Sequence, residues 1–114
     1  MIAFLHRLQI GTNAGRNTKR GDPIFVSEYG AIAWSEDPSG WGYGNAPASK
    51  EEFLDRLKGL TDALLNNKYM FGFCYTQLTD VEQEQNGLNT YDRKAKFDPA
   101  VISRIFSGKA AIEE

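Results

Sequence analysis

The sequence predicts an α/β fold, a βαβα unit, on three observations. Two short runs, residues 24–28 and 69–78, are almost continuously apolar until their last residues. Between them lies a stretch whose apolar residues recur with helical spacing. A second short amphipathic stretch follows the later run. Strands apolar on both faces, joined by an amphipathic crossover helix, are the mark of a parallel sheet covered on both sides.

Taken in order, Ile2, Leu5 and Leu8 suggest a short helical face, and residues 11–23 (GTNAGRNTKRGDP) read as a turn-rich linker. The first strand, IFVSEYG, begins at Ile24 and carries Glu28 at the end of its apolar part. A carboxylate buried beside Ile24, Phe25 and Val26 would cost several kcal/mol, so Glu28 is expected at a strand end facing a cleft. The next twenty residues, starting at Tyr29, hold four glycines and four large aromatics, Tyr29, Trp34, Trp41 and Tyr43. Loops of that length inside compact domains are uncommon and usually functional.

Ser49 and Glu52 form a capping box, so a helix should begin at Lys50. Phe53, Leu57, Leu60 and Leu64, with Leu54 and Leu65 beside them, give it one apolar face, and Asn66 to Lys68 should end it. The second strand, YMFGFCYTQL, turns polar at Thr76 and Gln77. Thr79 to Glu84 is polar and acidic, and QNGL is a turn signal. Asp98 before Pro99 marks a helix start, Val101, Ile102, Ile105 and Phe106 its apolar face, and Gly108 its stop.

Composition excludes several classes. The net charge of −2 gives no footprint for nucleic acid or an anionic membrane, and Arg16, Lys19 and Arg20 read as a solvated loop. No apolar run approaches the roughly 20 residues of a membrane span, so the chain is expected to be soluble, its compartment open. One cysteine, Cys74, and one histidine, His6, exclude an intrachain disulfide, a multi-thiolate metal site and any two-histidine site. No cofactor or metal is expected, and Cys74 reads as a core thiol.

In parallel sheets the functional loops gather at the carboxyl ends of the strands. Ser27 and Glu28 close the first strand; Gln77, Thr79 and Asp80 close the second. Carboxylates beside aromatic platforms suit a carbohydrate, whose hydroxyls need acceptors and whose C–H face packs on a ring. Trp34 and Trp41 would equally serve to pin a long loop, and composition does not separate the two.

The blocks PIFVSEYG, AIAW, GWGYGN, CYTQLTDVEQEQNGL and TYDRKAKFD together resemble the end of the catalytic barrel of glycoside hydrolase family 2, the β-galactosidase and β-glucuronidase family. The resemblance implies that the two strands are the seventh and eighth of a (β/α)8 barrel. It divides the chain into an N-terminal segment and linker (1–22), a partial barrel (23–108) and a tail (109–114). Glu28 takes the position of the family's nucleophile, in a retaining mechanism. Tyr29, Trp34, Trp41, Tyr75, Gln77 and Asp80, gathered at the same strand ends and loop, are the candidate substrate-binding residues. Tyr75 stands where many relatives carry a tryptophan, and the resemblance implies a cis peptide at Tyr75–Thr76.

A retaining glycosidase needs a second carboxylate about 5–5.5 Å from the nucleophile. In this family it is a glutamate after an asparagine, and no Asn-Glu dipeptide occurs in this chain. The barrel takes roughly 250 residues, so the chain carries about two of its eight strands. The expectation is therefore a piece of a β-glycosidase, inert alone, with bare strands that self-associate. Asp80 is expected to brace its loop rather than replace the acid. The alternatives are a carbohydrate-binding barrel piece without catalysis and a small α/β interaction module.

Overall fold

In the computed structural model, residues 24–36, 40, 42 and 45–113 are described. The expected N-terminal helical face, His6, the linker, Trp41 and Tyr43 lie outside them. The order is β1 (Ile24–Gly30), α1 (Lys50–Leu65), β2 (Met70–Thr76) and α2 (Pro99–Phe106), followed by a 3₁₀ turn at Ala111–Glu113. The two strands pair in parallel, and the protein is a small α/β unit.

Each helix starts where its cap places it. Ser49 Oγ accepts the Glu52 amide at 3.1 Å, and Glu52 Oε2 reaches back to the Ala48 amide at 2.7 Å, one residue before the usual capping-box partner. The Ala48 amide first, and then the Arg56 guanidinium, hold the Glu52 carboxyl below the usual range. Asp98 Oδ1 accepts the Ala100 amide at 2.9 Å, and Pro99 opens α2. The predicted face of α1 is the one that packs: Phe53, Leu57, Leu60 and Leu64 are buried. They meet Tyr29, Ile32, Met70, Leu88, Phe97 and Ile105 in one core. Phe53 and Phe97 stack with centroids 4.2 Å apart.

The register shifts twice and recovers. Ile24 pairs with Met70, Val26 with Phe73 and Tyr29 with Tyr75, so the offset goes from 46 to 47 and back to 46. One extra residue in β2 is followed by one in β1, the signature of bulges. At the second shift Ser27 and Glu28 are both exposed, whereas Tyr29 and Gly30 are buried.

The expectation of a sheet covered on both faces is not met among the described residues. Phe25 and Phe71 are 52% and 57% exposed, with their rings 5.5 Å apart. Cys74, expected in the core, is exposed as well. The reason is coverage. Both helices and the core lie on the side of Tyr29 and Met70, and no described element packs over the other face.

Candidate functional site

The rim of the sheet is built by the bulge in β1. Glu28 is exposed there, while its neighbour Tyr29 is 0% exposed and turned toward α1. The Tyr29 hydroxyl shares a 2.9 Å hydrogen bond with Thr61 Oγ1, and its ring meets Phe73 and Tyr75 edge-on at 5.3 and 5.5 Å. Burial pushes its hydroxyl up to about 12, against the lowering effect of Thr61. Burial also raises Tyr75, with Tyr29 adding to the effect. The structure thus anchors the residue after Glu28 in the core and leaves the carboxylate itself at the surface.

Gly30 makes the tight exit from β1 possible. Its φ is +93°, and a Cβ there would lie 2.2 Å from the Tyr75 ring. The chain continues with Ala31, whose amide donates to Thr76 O at 2.8 Å. A cis non-proline peptide is present at Thr76–Gln77, one bond later than expected.

Residues 77–97 fold back on themselves. The Leu88 amide donates to Gln77 O at 3.1 Å, Asn89 to Leu78 O at 2.9 Å, and Asp80 to Asn89 O at 2.9 Å. Asp80 is buried and braces this loop: its Oδ1 accepts the Gly87 amide at 2.8 Å and Lys96 Nζ at 2.7 Å. Lys96 reaches further, to Trp34 O at 2.6 Å and to Gln85 O at 3.4 Å. Desolvation lowers its pKa, and the Asp80 carboxylate opposes that shift. Glu84 accepts from Asn86 Nδ2 at 3.2 Å, and Glu82 is exposed.

A cleft of about 390 Å³ opens between the two loops, lined by Trp34, Ser35, Glu36, Lys50, Thr90, Ala95 and Lys96. Of the predicted site residues, Trp34 lines it; Glu28, Tyr29, Tyr75, Gln77 and Asp80 do not. Gln77 lies nearer the second strand, its buried Nε2 without a hydrogen-bond partner among the described residues. Among the described residues, no group of three or more His, Cys, Asp or Glu is placed to hold a metal ion, and no helix is long and apolar enough to cross a membrane.

Lys96, Thr61, Asn86 and Gly87 were not singled out by sequence reasoning. Lys96 left one trace: Asp80, directly after an apolar strand, requires a cation if it is buried. Comparison with known proteins adds no relative, since no family model matches the chain and no curated protein matches it.

Proposed function

We propose that the chain is the last two strand–helix units of a (β/α)8 barrel in a retaining β-glycosidase of glycoside hydrolase family 2, with Glu28 as its nucleophile. The observation carrying this reading is the exposed Glu28 carboxylate at the end of a parallel strand, beside a Tyr29 fixed in the core. The sequence blocks around both strand ends support it. So does the unspent Gln77 Nε2, a donor of the kind that functional sites retain.

In this reading the Glu28 carboxylate attacks the anomeric carbon while an acid from an earlier strand protonates the departing glycosidic oxygen. The C–O bond to the aglycone breaks and a glycosyl ester forms on Glu28. Water, deprotonated by the same acid's conjugate base, then cleaves the ester and releases sugar with retained configuration. The acid/base belongs to the part of the barrel this chain does not supply, so the 114-residue chain alone turns over nothing.

The test is Glu28→Ala in the intact barrel protein. Hydrolysis of aryl β-glycosides should be abolished, and azide should restore cleavage of an activated aryl glycoside, giving the glycosyl azide of opposite anomeric configuration. Turnover that survives the substitution overturns the assignment. A reading frame with no Asn-Glu upstream of Met1 leaves a barrel that binds sugar without cleaving it.

A further inference from the structure

The backbone of Trp34 is held at both ends by groups far away in sequence. Its amide donates to Gln85 O at 3.0 Å, and its carbonyl accepts Lys96 Nζ at 2.6 Å. The same ammonium also contacts Gln85 O and the carboxylate of Asp80. It is buried with that carboxylate, the side chains being 5% and 8% exposed. Trp34 in the loop after β1, and Asp80 and Gln85 in the loop after β2, therefore converge on one cation.

Lys96 has no counterpart role in the core, since the hydrophobic cluster does not include it. What it fixes is the backbone of Trp34, whose side chain packs half-buried against that cluster and lines the 390 Å³ cleft. A ring held in place before a ligand arrives binds better than one that must be ordered on binding. Among the described lining residues the charges balance: Lys96 is neutralised by Asp80, and Glu36 and Lys50 have opposite signs.

We propose that Lys96 is a positioning residue that locks Trp34 as the aromatic wall of a subsite for an uncharged pyranose ring. The sugar half of this statement rests on the glycosidase reading above; the lock does not.

The lock is tested in the 114-residue chain carrying Trp41→Phe, which leaves Trp34 as the sole tryptophan. Lys96→Met should shift the Trp34 emission to the red and increase its quenching by acrylamide. Because that variant strands a buried carboxylate, Asp80→Asn/Lys96→Met is measured beside it and should show the same shift. Unmoved emission in the double variant overturns the lock.

The sugar half is tested in the intact protein with aryl β-glycosides. Lys96→Met and Trp34→Ala should each raise KM about tenfold, equal to about 1.4 kcal/mol, with kcat unchanged. Together they should cost no more than either alone, because Lys96 acts through Trp34. A moved emission with an unchanged KM in both variants overturns the pyranose subsite and leaves the lock standing. A preference for an aryl glucuronide over the neutral hexoside overturns the uncharged ring. An intact protein that cleaves no aryl glycoside refutes the glycosidase reading itself, while the emission result still decides the lock.

Discussion

Replacing Gly30 by alanine is the sharpest single perturbation of the rim. Two costs add. The backbone at φ +93° lies where L residues rarely go, at about 1–2 kcal/mol. The new Cβ would also stand 2.2 Å and 2.6 Å from two carbons of the Tyr75 ring, which is itself packed against Tyr29 and Phe106. Overpacking of that kind costs about 1–3 kcal/mol. The expected loss is therefore about 2–5 kcal/mol. Gly59 provides the control, since a Cβ on that helical glycine meets nothing within 4 Å. Gly59→Ala should stabilise by about 0.5–1 kcal/mol. Urea unfolding followed by circular dichroism reads both, and with m of about 1–2 kcal/mol/M the Gly30 variant should lose at least about 1 M in midpoint. Equal midpoints for the two alanine variants would refute the packing of Tyr75 over Gly30.

Two further outcomes follow from the same geometry. Because Tyr29 titrates near 12 when folded and near 10.0 when unfolded, the unfolded chain loses that proton first, and stability should fall between those pH values. Tyr29→Phe should flatten that fall, with Tyr75 retaining part of it, and should cost about 1 kcal/mol at neutral pH through the lost Thr61 bond. An alkaline unfolding profile identical in the two proteins would contradict the burial of the phenol. The isolated chain should also self-associate at micromolar concentration through strand edges unpaired among the described residues and through the exposed Phe25–Phe71 pair. Phe25→Ser/Phe71→Ser should shift light scattering toward monomer, and a wild-type chain already monomeric would sink the idea.

Local signals proved legible where they are local in origin. Ser49 and Asp98 mark their helix starts because a cap depends only on neighbours within three residues. The buried face of α1 follows from spacing alone. The exposed side of the sheet did not, because apolar residues in a strand announce that a face wants covering and not whether anything covers it. Phe25, Phe71 and Cys74 read as core for that reason. The site divides in the same way. Asp80 as a loop brace could be inferred from the cost of burying it, but its partner lies sixteen residues away and its other ties reach Trp34. No period or motif encodes a contact that long. Tyr29, a candidate for the substrate site beside Glu28, is turned into the core by a bulge that no sequence signal announced.

That separation bears on how the carboxylates of Glu28 and Asp80 divide their work. Asp80, four residues past the end of β2, is buried, and has a lysine and a backbone amide on one oxygen, as a carboxylate removed from water requires. Glu28, near the end of β1, is exposed and makes no comparable bond among the described residues. The difference arises from one extra residue. Without the second register shift, strict alternation from an inward Val26 would turn Glu28 inward and Tyr29 outward, burying a carboxylate and exposing a phenol. The bulge reverses both at once. It fills the core with the ring and sends the carboxylate to the rim, where a charged group costs little and stays accessible to a reacting partner.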